Sequence, residues 1–167
     1  NGVRKLRLEY DNGPIQLKLG DLYEIWGRGL VLNSVDDQSI DRDTSIRGLT
    51  LIYNNDSFSS QFIAGKADIS QSTINALGFN NRKHNYQVSH NLYGLNIKKL
   101  LGKHNLGFSF LQGLEKHPVN TFPSDTIDIK NQFHSLNYSL VSSLFDFYAE
   151  YIMSRSYEFD EDRWKSH

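Results

Sequence analysis

Cysteine is absent from the 167 residues, so neither a disulfide framework nor a thiolate metal site is available. Long apolar runs are absent as well. No stretch approaches the roughly 20 consecutive apolar residues of a spanning helix, which excludes a helical membrane protein. Neither sign of charge dominates: 18 Lys and Arg against 19 Asp and Glu leave a net charge of −1. A phosphate-binding surface needs a basic excess or a basic stripe, so nucleic acid is not an expected partner. The chain opens at Asn1 with no charged-then-apolar leader, and Val3 to Tyr10 already reads as mid-protein strand. The expectation is one segment, residues 1–167, of a larger protein.

What is present is an unusual pairing. Hydrophobic residues make up only 38%, low for a packed globule, yet aromatics reach 13%. That combination suits strands that show one face to lipid and one to water.

Period-two alternation runs along the chain. Leu6, Leu8 and Tyr10 oppose Lys5, Arg7 and Glu9, the pattern of a half-buried strand. Asp11-Asn12-Gly13-Pro14 reads as a tight turn, and Ile15, Leu17 and Leu19 return against Gln16 and Lys18. Tyr23 and Ile25 continue the apolar side, with Asp21 interrupting it, and Glu24 and Arg28 continue the polar one. Residues 33–44, NSVDDQSIDRDT, read as an exposed acidic loop. Strands follow over Ile46 to Asn54, then FSSQFIAGKA, whose facing is ambiguous because Phe62 and Ile63 are both bulky. Tyr86 to Ile97, Leu106 to Leu111, Leu136 to Leu140 and Phe145 to Met153 complete about eight strands. Ile69 to Lys83, Glu115 to Ile129 and the charged end, Glu158 to Lys165, read as further long loops.

Short turns and long loops take turns strictly, so every long loop emerges at one end. Outer-membrane barrels combine tight periplasmic turns, longer outer loops and roughly ten-residue alternating strands, whereas a soluble sandwich has no reason to keep that asymmetry. The expected fold is therefore an antiparallel up-and-down transmembrane β-barrel. Lys18, Glu24, Arg28, Asn96, Lys98, Asn137, Ser139, Asp146 and Glu150 are the candidate lumen-facing residues. Leu49, Leu51, Tyr53, Tyr93, Leu95, Phe108, Phe110, Tyr138, Phe145, Phe147 and Tyr151 are the candidate lipid-facing or interface residues, an aromatic-rich band suited to hydrocarbon and its borders. Tyr23, Tyr86 and Trp26 are expected, like the other tyrosines, to be interface anchors or packing residues rather than sugar-stacking platforms.

The segment Gly20 to Gly48 carries a resemblance. Gly20, Asp21, Leu22, Tyr23, Glu24, Gly27, Gly29 and Leu30 fill a G-[DN]-x-Y-E-x-x-G-x-G-L pattern, followed by an acidic loop and Asp43-Thr44-Ser45-Ile46-Arg47-Gly48. It resembles an uncharacterised porin-like family of Bacteroidota outer-membrane β-barrel proteins. Leu22 stands where an aromatic is usual and Trp26 where Phe is common. The resemblance implies a barrel in the outer membrane of a Gram-negative bacterium, larger than these residues, and brings no catalytic residue or cofactor.

Chemical sites were sought by spacing. His84, His90, His104, His117, His134 and His167 are scattered, with no short-spaced pair of the kind zinc favours. Asp36, Asp37, Asp41 and Asp43 lack the ordered ligand spacing and turn glycine of a calcium loop. Ser135 beside His134 cannot act as nucleophile and base, because neighbours on a strand point to opposite faces. Arg28 suits a lumen charge and a strand-end cap equally, and Arg47 suits the cap better. No enzyme, metal or cofactor is expected. The expected partners are the lipid bilayer and small hydrophilic solutes. The alternative is a secreted or periplasmic β-sandwich that binds glycan or protein.

Overall fold

The computed structural model describes residues 5–37, 39, 42–71, 86–118, 126–158 and 163–166. Among them the chain is all-β, without helix. It begins with β1 (Arg7–Asn12) and β2 (Ile15–Leu22), passes through two small hairpins, and continues as long strands. The hairpins are β3 (Ile25–Trp26) with β4 (Leu32–Asn33), and β5 (Asp36–Asp37) with β6 (Arg42–Asp43). The long strands are β7 (Ile46–Asn54), β8 (Phe58–Gln71), β9 (Tyr86–Leu101), β10 (His104–Pro118), β11 (Thr126–Val141) and β12 (Asp146–Glu158), followed by the short β13 (Arg163–Ser166).

Leaving out the two hairpins, each strand pairs antiparallel with its neighbour in sequence, giving one nine-stranded sheet in the order β1-β2-β7-β8-β9-β10-β11-β12-β13. Among the described residues β1 and β13 are its edges. Tight turns join β1 to β2, β7 to β8, β9 to β10 and β11 to β12. Gly13 and Gly102 take positive φ, 58° and 61°, in two of them, a conformation that only glycine enters without cost. In the β7–β8 turn the Asn55 Oδ1 accepts from the backbone N–H of Ser57 and Phe58, at 3.1 and 2.8 Å.

Strand lengths depart from the alternation in an informative way. β10 runs to Pro118 and β11 starts at Thr126, so most of the expected 115–129 loop is strand, with Glu115 opposite Ile129 and Lys116 opposite Asp128. On β10 the ladder continues after the side chains have become polar on both faces, where pattern alone cannot follow it, while Ile127 and Ile129 on β11 still alternate with polar residues. The charged end likewise holds β13, paired to β12, where a loop was expected. Of the expected 69–83 loop, Ile69 to Gln71 belong to β8, and the rest lies outside the described residues.

The register sorts side chains onto two faces. Gln16, Ile52, Gln61, Asn96, Ser109, Ser135 and Ile152 stand side by side on one. One residue along each strand, Leu17, Leu51, Phe62, Leu95, Phe110, His134 and Met153 share the other. The first face is covered and the second is open. What covers the first is the segment between β2 and β7.

That segment corrects the reading of residues 20–44. β2 ends at Leu22, and the following residues neither continue the strand nor form a loop exposed throughout. They fold back onto the sheet, burying Leu22, Trp26, Val31, Leu32 and Ile46 against Ile63, Ala67 and Leu111. Ser34 Oγ ties the insert together, donating its single hydrogen to the Thr44 carbonyl at 2.5 Å and lying 3.2 Å from the Leu22 carbonyl oxygen. Thr44 Oγ1 accepts from the Val35 N–H at 2.9 Å. The acidic side chains Asp36, Asp37 and Asp43 do remain exposed.

Gly94 makes room for Trp26: a Cβ there would stand 2.8 Å from an indole ring carbon and 2.6 Å from the Phe110 carbonyl oxygen. Gly94→Val should therefore displace the indole and cost about 1–3 kcal/mol, as overpacking does. In a Trp164→Phe background the check is Trp26 emission, expected to shift to the red together with a lower unfolding temperature. An unshifted spectrum at unchanged stability contradicts the packing.

Candidate functional site

The insert meets the covered face through two polar clusters. In the first, the Lys18 ammonium donates to Glu24 Oε1 at 3.1 Å, and Gln61 Nε2 donates to Glu24 Oε2 at 2.7 Å. The Trp26 indole N–H then donates to Gln61 Oε1 at 2.9 Å. The chain of contacts thus runs from β2 through the insert to β8 and back to the insert. The Lys18 and Glu24 side chains are only 15% and 12% exposed, so this ion pair is screened less than a surface pair. Asn96 and Ser109 continue the buried row, the Ser109 hydroxyl donating to Asn96 Oδ1 at 3.3 Å.

The second cluster gathers on β11 and β12. The Glu150 carboxylate accepts from Ser135 Oγ at 2.8 Å and from the Tyr148 hydroxyl at 2.6 Å. The Arg28 guanidinium lies 4.3 Å from the Tyr148 ring centroid, a cation–π contact. Gly27 packs so close to Glu150 that a Cβ there would stand 2.5 Å from the carboxylate. Consecutive insert residues therefore touch different parts of the sheet, Trp26 on β8 and β9 and Gly27 and Arg28 on β12.

The nine polar candidates all lie on this side of the molecule. Lys18, Asn96, Lys98, Asn137, Ser139, Asp146 and Glu150 share the covered face by register, and Glu24 and Arg28 reach it from the insert. Asp146 stands at the tight-turn end, opposite Val141, and is exposed. The apolar candidates occupy the other face: Leu49, Leu51, Tyr53, Tyr93, Leu95, Phe108, Phe110, Tyr138, Phe147 and Tyr151, with Phe145 exposed just before β12.

Of the two roles expected of Trp26, interface anchor or packing, the structure gives it packing. It is fully buried between the insert and the sheet, where a partner for its N–H stands on β8. Tyr23 also belongs to the insert, its hydroxyl 3.3 Å from Asp43 Oδ1. The side chain of Tyr86 lies outside the described residues. Arg47 sits on the open side, its side chain 78% exposed and its Nε 3.4 Å from Asp21. His134 and Ser135 do point to opposite faces, His134 packing its ring 5.1 Å from that of Phe110.

The apolar core beneath the insert went unread in the sequence, although a signal for it exists. Leu51-Ile52, Phe62-Ile63, Leu92-Tyr93, Phe110-Leu111 and Ile152-Met153 are apolar doublets, and an apolar doublet places bulk on both faces at once. By register they fall at neighbouring heights on the sheet. Together they mark the level at which the covered face needs an apolar partner.

Among the described residues no cluster of His, Asp and Glu has the makings of a metal site. Asp41 lies outside those residues. Asp36 and Asp43 instead converge on the Lys5 ammonium, at 2.7 and 2.9 Å. Desolvation pushes the Asp43 carboxyl up, but hydrogen bonds from Lys5 and Ser45 and the Lys5 charge outweigh it and hold the group below its ordinary range. The same contacts, Asp36 first, raise the Lys5 ammonium above its own range.

A protein-family model described as a family of unknown function (DUF6029) matches residues 1–166. The chain belongs to that family. No curated protein and no solved structure matches it.

Because the folded value of Asp43 is depressed, its contribution to stability is complete above the ordinary carboxylate range near pH 4. It is lost as pH falls through the lower folded value. Lys5→Ala should raise the Asp43 midpoint in a carboxyl NMR titration of the folded protein, since burial then acts with less opposition. An unmoved midpoint would show that Lys5 does not hold this carboxylate.

Proposed function

We propose that the chain forms wall of a porin-like β-barrel in the outer membrane of a Gram-negative bacterium. In this reading the open face meets lipid, the covered face lines the interior, and the insert of residues 23–45 narrows a passage for small hydrophilic solutes. One observation carries it: the face that none of the described residues covers is the greasy one. Tyr151, Leu136 and Phe147 are 69%, 61% and 49% exposed there, while Ser109 and Ser135 on the opposite face are 0% and 1% exposed. Soluble monomers rarely expose contiguous apolar patches of this kind, and a bilayer removes the cost.

The shape of the apolar belt adds support. On β1 it comprises Leu6, Leu8 and Tyr10, and on β12 it runs from Phe145 to Met153. Tyr10 and Met153 stand at the same height by register. From there the belt extends toward the long connections on β1 and toward the tight turns on β12. Its centre thus shifts by roughly 20 Å along the strands over about 34 Å across them, a slope near 31°. Strands tilted in a bilayer, typically by about 35–45°, require such a staircase so that the belt stays level with the membrane. Along β12 the belt is about 27 Å long, comparable with the ~25 Å apolar band of such barrels.

A soluble sandwich would need a second sheet over the greasy face. The described residues supply only two small hairpins, and those lie on the other side. The resemblance to Bacteroidota barrel proteins agrees with the membrane reading, as does the grouping of all tight turns at one end.

The test is reconstitution of the full-length chain. Heat-modifiable migration in detergent is expected, and Trp26→Ala with Arg28→Ala should enlarge the single-channel conductance by loosening the insert, with a stability loss of about 3 kcal/mol for the indole. A folded barrel that conducts in neither form argues for a structural role. A soluble monomer without detergent would sink the membrane reading and favour the sandwich.

A further inference from the structure

Across the apolar belt from the row of Tyr10 to the tight turns, Lys99 is the one formally charged side chain on the open face of the described strands. It sits between Ile97 and Leu101 on its own strand and between Phe58 and Leu106 on its neighbours. Its ammonium donates to Ser57 Oγ at 3.4 Å, and no carboxylate of the described residues pairs with it. A lysine placed in a lipid-facing band carries a desolvation cost unless its head reaches polar groups at the membrane border.

Beside it the open face is indented. Ile97, Leu106, Phe108, Leu136, Ala149 and Tyr151 line a groove of about 530 Å³, with Lys99 on its wall. Its row carries only a methyl side chain at Ala149, between larger neighbours on β11 and along β12. At the same height Tyr138 also lines the groove, and its hydroxyl lies 2.8 Å from His104 Nδ1. The groove is thus apolar along its length and polar at the end nearer the tight turns. Lys103 lies in the β9–β10 turn just beyond.

We propose that this groove holds one acyl chain of an anionic phospholipid from the leaflet on the tight-turn side, with the headgroup phosphate bound by Lys99. The inference rests on the membrane reading above and adds to it a specific lipid. Charge complementarity selects the occupant: a cation at the polar end of an apolar groove matches a phosphate joined to a hydrocarbon chain. The Tyr138 hydroxyl and the His104 imidazole offer further hydrogen bonds to the glycerol and phosphate oxygens. A zwitterionic headgroup gains less, because its own ammonium competes with Lys99 for the phosphate.

The experiment uses the full-length chain in detergent micelles, with phosphatidylglycerol or phosphatidylcholine added and retained lipid counted by native mass spectrometry. Phosphatidylglycerol should be retained in preference. Lys99→Leu, which suits the belt and leaves the fold intact, should weaken that retention about fivefold, the effect of one lysine near an anionic surface. Ala149→Phe fills the groove and should reduce retention of both lipids. Equal retention of the two lipids by the wild type, or retention of phosphatidylglycerol that neither substitution changes, overturns the proposal. Heat-modifiable migration is recorded on the same samples. Its loss in the wild type would overturn the membrane reading itself and this proposal with it, whereas its persistence beside unselective lipid retention would remove the lipid site alone.

Discussion

Antiparallel register is the constraint on which everything else here depends. Each tight hairpin fixes which residues stand opposite one another, and side-chain direction reverses at every residue. A slip of β10 by one residue would turn Phe108 and Phe110 onto the face now held by Ser109 and would carry Ser109 into the aromatic band. The turns guard against that slip. Gly13 and Gly102 supply the left-handed backbone, and Asn55 pins its own turn by accepting two backbone hydrogens.

Given that register, the covered face divides into two levels with different chemistry. Toward the long connections it takes the weight of Leu22, Trp26, Leu32 and Ile46, while His90, Glu115, Asn131 and Ser156 form a bonded polar set on β9 to β12. Toward the tight turns it is polar, with Lys98, Asn137, Glu150 and Tyr148. Polar groups trapped between the levels are joined to one another. Gln61 accepts from Trp26 and donates to Glu24, and Glu24 in turn accepts from Lys18. A buried amide satisfied on both its ends costs far less than one left open, and it also fixes the orientation of the indole that it holds.

Much of this architecture is legible from residues alone, because period-two alternation is a local property. The eight principal strands, the alternation of tight and long connections and the division of side chains between faces can all be read from runs such as Leu136-Asn137-Tyr138-Ser139-Leu140. The site is less legible. Residues 23–45 look like a strand followed by solvated loop because Asp36, Asp37 and Asp43 dominate the composition, while what decides their fold is Ser34, Thr44 and Trp26 finding partners distant in sequence. Trp26 meets Gln61 across 35 positions, and no window over either residue contains the other. The end of β10 is hidden for the opposite reason, since Glu115-Lys116-His117 no longer alternates although its backbone ladder continues, whereas the start of β11, Thr126-Ile127-Asp128-Ile129-Lys130, does carry the alternation.

The insert and the belt also constrain each other. In a sheet with one face toward hydrocarbon, packing that face cannot hold the structure against water as a globular core does, since lipid is as apolar as leucine. Specific stabilisation must then come from the backbone ladder and from the covered face. The insert supplies the second, and it does so at the level where apolar doublets give the strands bulk on both sides. At the polar level nearer the tight turns the insert's contacts narrow to Gly27 and Arg28, meeting Glu150 and Tyr148. The insert thus holds β8 and β9 through the buried indole of Trp26 and β12 through Gly27 and Arg28, so that its contacts span most of the width of the sheet.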